Sequence, residues 1–281
     1  MTAGLRDGLL AKGYREYEQF DIGVRFSQGN ITALPAAAED LVQYGVDLIV
    51  AEGTEAAKVA QSVSTRLPVV FTGASDPVGL SLIHSFARPG GRLTGVTELR
   101  TELGPKRLEL FRKMLPGLQR VFFLYSPQSA ASVASARAYR EAAHLLGIEL
   151  IEQPVQTEAQ AQTLLARVRP GGRDGIVPPP SIILNIPGFV LETAVQRGIP
   201  AMFDDVSYVE RGALASYGPD LYESGRQAAR LVDKILKGES PAEIPVEVNN
   251  RIEFSINLNT AKALGLTISQ EMRYRANRLI R

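Results

Sequence analysis

The feature that most limits what this chain can fold into is a rhythm. Short continuous apolar runs alternate with longer amphipathic ones over most of its length. Runs such as Val69-Val70-Phe71-Thr72 lack the polar–apolar alternation of a strand with one wet face, so they predict strands buried on both faces of a parallel sheet. Strands are expected at Phe20–Phe26, Asp47–Ala51, Val69–Thr72, Thr94–Thr97 and Val121–Tyr125, and further on at Glu149–Glu152, Gly175–Val177, Ala201–Phe203 and Ala213–Ser216. Helices are expected between them at Leu34–Tyr44, Glu55–Ser64, Lys106–Leu115, Ala130–Leu146, Glu158–Val168, Phe189–Gln196 and Tyr222–Leu236. Several of these stop on a glycine, at Gly45, Gly147, Gly198 and Gly238. Strand, helix and strand repeated in this way make right-handed crossovers, so the fold class is α/β, doubly wound.

At 281 residues the chain is long enough for two lobes. The segment Ala87-Arg88-Pro89-Gly90-Gly91-Arg92 and the polar stretch running to Gly104-Pro105 interrupt the rhythm, which favours two sheets. The alternative is a single eight-stranded sheet with a long surface loop over residues 87–105. Thr2–Tyr14 reads as an amphipathic helix stopped at Gly13. A strand normally feeds such a helix, so either the lobe begins with a helix or the natural beginning lies upstream, and the second is the expectation.

Composition narrows the function. Lys and Arg total 31 against 30 Asp and Glu, which leaves no basic surplus for a nucleic-acid partner. There is no cysteine, which removes disulfides, thiolate metal sites and cysteine nucleophiles. The two histidines, His84 and His144, are expected inside helices (Val78–Phe86 and Ala130–Leu146), away from any nucleophile elbow. No apolar run approaches about 18 residues, and the N-terminus lacks the basic start and apolar stretch of a secretory signal. The balance points to binding without catalysis, cofactor or metal.

In parallel sheets, ligands sit where strand ends feed helices. After Asp47–Ala51, Gly53 allows a tight turn and Thr54 is placed to cap the next helix, where a hydroxyl and free amides could accept an anion. The alternative is a plain cap. After Val69–Thr72 the small residues Gly73, Ala74, Ser75 and Asp76 permit close approach to backbone, with Ser75 or Asp76 capping a helix near Pro77. Phosphate fits these loops as well as carboxylate, but neither glycine-rich nucleotide fingerprint is present. Farther on, Ser126-Pro127-Gln128-Ser129 enters a helix, Pro178-Pro179-Pro180-Ser181 makes a stiff wall, and Asp204-Asp205 follows a strand end. Those two acids could meet an ammonium group or serve as a cap and a solvated charge. Tyr217 falls near a lobe crossing.

The stretches Leu67–Leu80, Ala87–Val96, Val209–Asp220 and Ile256–Leu266 together resemble the ABC-transporter substrate-binding protein family that includes tryptophan- and phenylalanine-binding lipoproteins. The resemblance implies two Rossmann-like lobes of the type I periplasmic-binding-protein architecture, joined by three crossings near Thr97, Gly212–Ser216 and Pro245–Asn257. One lobe would hold residues 1–97 and about 216–245, the other 98–215 and about 246–281. It implies a solute receptor, periplasmic or otherwise extracytoplasmic and lipid-anchored, monomeric, serving a membrane permease and carrying no catalysis. The ligand carboxylate would meet Thr54 with Gly73, Ala74 and Ser75, its ammonium Asp204 or Asp205, and Phe203 would line the apolar side. Tyr217 matches a tyrosine beside a hinge. Ser126 and Ser129 stand where many members carry asparagine, and Pro180 where many carry aspartate, which leaves the ligand open. The competing expectation is a ligand-sensing domain of a regulator, which would carry a DNA-binding or signalling domain.

Overall fold

The computed structural model describes residues 1–27, 30–74, 76–98, 100–178 and 186–281. It divides the chain into two compact units, Met1–Leu99 with Asp220–Arg251, and Arg100–Pro219 with Ile252–Arg281. Up to the first crossing the elements are α1 (Thr2–Ala11), α2 (Leu34–Tyr44), β1 (Ile49–Glu52), α3 (Thr54–Val63), β2 (Val69–Thr72) and β3 (Leu93–Glu98). The second unit then carries α4 (Gly104–Met114), β4 (Arg120–Tyr125), α5 (Ala130–Leu145), β5 (Glu149–Pro154) and α6 (Glu158–Leu165). It continues with β6 (Asp174–Ile176), α7 (Ile186–Gln196), β7 (Met202–Phe203), α8 (Val206–Glu210) and β8 (Ala215–Pro219). The chain returns to the first unit for α9 (Leu221–Leu236) and β9 (Glu247–Asn249). It ends in the second with β10 (Ile252–Asn257), α10 (Leu258–Ala263), α11 (Gln270–Arg275) and β11 (Arg278–Ile280).

The first unit is a parallel sheet in the order β1-β2-β3-β9, with β1 and β2 paired from Ile49↔Val69 to Glu52↔Thr72. Alternate residues of β2 enter different cores. Phe71 packs with Ala57 and Ala60 of α3, while Val70 packs with Leu5 and Leu9 of α1 and Ala228 of α9. Two-sided burial explains why these strands read as continuous apolar runs. Helices α1 and α9 approach through glycines: a Cβ on Gly4 would lie 1.9 Å from the Tyr222 carbonyl oxygen, and one on Gly225 2.1 Å from that of Met1. Side chains pin the same pair, because Asp233 accepts hydrogen bonds from Lys12 (2.8 Å) and from the Tyr14 hydroxyl (2.9 Å). At the crossings, buried Ser224 donates to Glu98 (2.5 Å), and Asn249 Nδ2 donates to Ser224 Oγ (2.8 Å) and to the Asp220 carbonyl (2.9 Å). One polar node therefore ties together the first-unit ends of all three connections.

The second unit holds two hydrogen-bonded ladders, β5-β4-β6 and β7-β8-β10-β11, joined by an isolated bridge between Ile176 and Ala201. Helices α4 and α5 cover one face over Val121 and Phe123, and α6 and α7 cover the other over Phe122 and Leu124.

Several expectations change here. The chain crosses after residues 99, 219 and 251: the first lies near Thr97 and the third within Pro245–Asn257 as expected, while the second falls beyond Gly212–Ser216 because the whole of β8 stays in the second unit. The sheets are not wholly parallel: β10 pairs antiparallel with β8. Phe20–Phe26 forms no strand. Only Phe20 makes a bridge, to Glu16, the Ile22 amide turns to the Asp21 carboxylate, and Phe26 is 81% exposed. Val78–Phe86 forms turns rather than a helix, since Asp76 and Ser81 both take positive φ, 46° and 57°. His84 consequently lies outside any helix, against Gly90.

Two outcomes follow from the α1–α9 contact. Gly4→Ala or Gly225→Ala should each cost about 1–3 kcal/mol, because the added methyl meets backbone that cannot yield. At an exposed helical site the same change gains up to about 1 kcal/mol, so a Tm that rises in either variant would refute the close packing. For Asp233, burial alone would raise the carboxyl, but hydrogen bonds from Lys12, Lys237 and Tyr14 outweigh it and hold it at about 2, below the ordinary 3.8. A depressed carboxylate stabilises the fold above its unfolded value and loses that contribution as pH falls. Acid titration of stability should thus show about 1–2 kcal/mol vanishing between about pH 4 and pH 2, after discounting for the exposed lysines. Asp233→Asn should flatten that segment.

Candidate functional site

In the first unit the expected loops lie side by side. Gly53, at φ 86°, caps α3 and donates its amide to the Thr72 carbonyl (2.8 Å), which places the start of α3 against the end of β2. The cap is thus Gly53 and not Thr54. Thr54 is the first helical residue, its neighbours Glu55 and Ala56 presenting amides that helix geometry leaves without an i−4 carbonyl. The Gly73 amide is committed to the Val96 carbonyl (3.0 Å) and so is no free donor, and the Ala74 carbonyl accepts from Thr97 Oγ1 (3.0 Å). Asp76 caps no helix; its carboxylate accepts from the Gly79 amide (2.9 Å) in a turn. Ser75 lies outside the described residues. A residue the sequence reading missed is Thr72. It is 1% exposed at the end of β2, and its Oγ1 has no hydrogen-bond partner.

In the second unit the β4 end is a buried polar loop. Ser129 caps α5 by accepting from the Ser132 amide (3.3 Å), and the Ser126 amide donates to Ser132 Oγ (2.9 Å). The Ser126 hydroxyl donates to Gln128 Oε1 (3.1 Å), so both predicted serines carry local bonds. Pro179, Pro180 and Ser181 lie outside the described residues. At the end of β7 the ring of Phe203 is fully buried and stacks on Tyr208 at 4.3 Å, so it belongs to the core and not to an accessible wall.

The adjacent acids diverge, as side chains on successive extended residues must. Asp205 caps α8, accepting from the Ser207 amide (2.7 Å). Asp204 is 6% exposed and pairs with Arg100 at 2.8 Å. Burial raises the Asp204 carboxyl above its ordinary range, while the charges of Arg100 and Arg107 oppose that rise. Of the roles the sequence left open, Asp205 takes the cap, and Asp204 is paired with a guanidinium rather than solvated. Tyr217 is half-buried on β8, edge-on to Phe254, and its carbonyl accepts from Arg107 Nε (2.8 Å).

Arg100 and Arg107 were both missed. Arg100 stands in a polar stretch with no periodicity. Arg107 had a signal, since it lies four residues before Phe111 and seven before Met114 and thus shares the apolar face of α4.

The architecture is that of type I periplasmic binding proteins. A conserved domain protein from Vibrio cholerae superposes with a TM-score of 0.84 at 31% identity, over 99% of this chain and 93% of that one. The ABC domain from Streptococcus pneumoniae in complex with L-Trp gives 0.83 at 27% identity, over 99% and 94%. A tyrosine-binding protein of Clostridioides difficile is 26% identical over 264 residues, 94% of this chain and 76% of that protein. Residues 1–280 match the ABC transporter substrate binding protein family, and the chain belongs to it. It is a solute-binding protein of an extracytoplasmic family, and among its described residues no helix is long and apolar enough to cross a membrane.

Thr72 offers a clean separation of structure from binding. Thr72→Val removes a buried hydroxyl that has no partner, so stability should hold or rise by about 1 kcal/mol. Chemical denaturation that instead shows a loss above about 1 kcal/mol would assign the hydroxyl a structural bond.

Proposed function

We propose that this protein is the receptor of an ABC importer for an amino acid with an aromatic side chain. The observation that carries the reading is the pairing of buried Asp204 with the largely buried Arg100 at a strand end. Burying two charges costs several kcal/mol per ion before their attraction is counted, and apolar residues of similar volume would often be as stable. Such a pair placed where ligands bind in parallel sheets points to recognition. Its two poles complement the ammonium and carboxylate of a zwitterion, and in the first unit the amides of the α3 start and the Thr72 hydroxyl are further donors. The relatives that bind tyrosine and L-Trp support an aromatic ligand.

In this reading ligand binding shifts an open–closed balance toward closure, and a membrane permease receives the solute. The receptor works outside the cytoplasm as a lipid-anchored monomer.

Isothermal titration against L-tryptophan, L-tyrosine and L-phenylalanine, with tryptamine and indole-3-propionate as single-pole analogues, checks the reading. The amino acids should bind at micromolar levels, and each analogue should lose about tenfold or more, the scale of one unpaired buried charge. Absence of binding by any zwitterion or carboxylate at about millimolar concentration would end it. Thr54→Ala should weaken the best ligand about three- to tenfold, equivalent to one hydrogen bond.

A further inference from the structure

We propose that Arg107 is a positioning residue for Asp204: a second, fully buried guanidinium that anchors the ends of β7 and β8 and balances the carboxylate's charge. The inference rests on the reading of Asp204 as a ligand-binding acid.

The geometry is closed on several sides. Arg107 is 0% exposed on α4. Its Nε donates to the Tyr217 carbonyl (2.8 Å) and its Nη1 to the Tyr139 hydroxyl of α5 (2.7 Å), while Nη2 has no hydrogen-bond partner. A buried guanidinium with a donor left over is expensive, and no packing argument requires one at this position. Register brings the acid to it. Phe203 of β7 pairs with Ser216 of β8, so Asp204 runs alongside Tyr217, the residue whose carbonyl Arg107 holds. The contact there is so tight that a Cβ on Gly218 would fall 1.8 Å from the Asp204 carbonyl oxygen. Arg107 therefore fixes the backbone beside the acid as well as supplying charge.

The charged and titratable groups facing Asp204 come from every neighbouring element. Arg100 pairs with it directly, Arg107 of α4 favours its ionised form, and Asp205 disfavours it. Tyr139 of α5 and Tyr208 of α8 complete the set, and both have their phenols raised, chiefly by burial. Arg107 is thus a second cation favouring the ionised Asp204, beside Arg100. With two guanidiniums, the acid keeps a counter-charge when a bound zwitterion competes for Arg100.

The experiment is a pH titration of the aspartate carboxyl carbons by NMR in the full chain, with Asp204 assigned through Asp204→Asn. In Arg107→Gln, which keeps a donor for the Tyr217 carbonyl but removes the charge, the Asp204 midpoint should rise by about one unit or more. In Arg107→Lys it should stay within about 0.3 unit of the parent, because the charge remains. An unmoved midpoint in Arg107→Gln, or equal shifts in both variants, would overturn the proposal. Should Arg107→Gln fail to fold, Arg100→Gln decides the matter. With Arg107 balancing it, the Asp204 midpoint there should rise by less than about two units over the parent; a larger rise, as for an unpaired buried carboxyl, refutes the role. Parallel titrations with L-tryptophan should show Arg107→Gln losing about tenfold more affinity at about pH 5.5 than at about pH 8. If the parent protein binds no amino acid, the proposed function fails while the carboxyl titration still decides whether Arg107 balances Asp204.

Discussion

A parallel ladder has one geometric consequence from which everything else follows. Each strand must be re-entered from the same end, so every connection crosses over a face of the sheet, and every strand-to-helix turn collects along one edge. In the first unit this places Gly53 and Thr54 against Thr72 and Gly73. In the second it brings Ser126 and Asp204 to the carboxyl ends of β4 and β7. Apolar residues fill both faces, so polar groups capable of recognition are pushed to that edge. There the helix starts present amides with no internal partner.

The second unit shows how costly that edge is allowed to become. Asp204, Arg100, Arg107 and Tyr139 form a largely buried cluster in which two guanidiniums face one carboxylate and hydrogen-bonding capacity is not filled. A core built only for stability would replace such a group with apolar side chains of equal volume. Retaining it ties the fold to electrostatics at one location, and links the ladder β7–β8 to helices α4 and α5 through a single side chain. The first unit's polar node, Glu98–Ser224–Asn249, has a different character, because its groups are mutually satisfied and sit where the chain leaves the unit. That arrangement holds together the first-unit ends of the three connections.

Most of the parallel core was legible in the sequence, and the reason is periodicity. Val69–Thr72 and Leu34–Tyr44 match their expected limits because two-sided burial and a helical stripe each leave an unambiguous pattern. The failures share a cause. Phe20–Phe26 has the composition of a strand, yet β1 has no neighbour on its outer edge among the described residues, and a strand without a ladder is only an extended chain. Val78–Phe86 has helical spacing, yet left-handed backbone at Asp76 and Ser81 breaks it into turns. The short elements α8, α10 and α11 span 5–6 residues, too few for a periodic signal.

The sequence by itself determined the α/β class, the loops that hold polar residues and the family resemblance, because these depend on local periodicity and on motifs contiguous in the chain. Only the tertiary structure decided what each polar residue is attached to. It assigned Asp205 to a helix cap, paired Asp204 with a residue 104 positions away, and buried Arg107 against Tyr217, 110 positions away. Those partnerships are set by strand register and helix packing. Whether a charge is solvated, neutralised or poised for a ligand depends on distances that no spacing along the chain encodes.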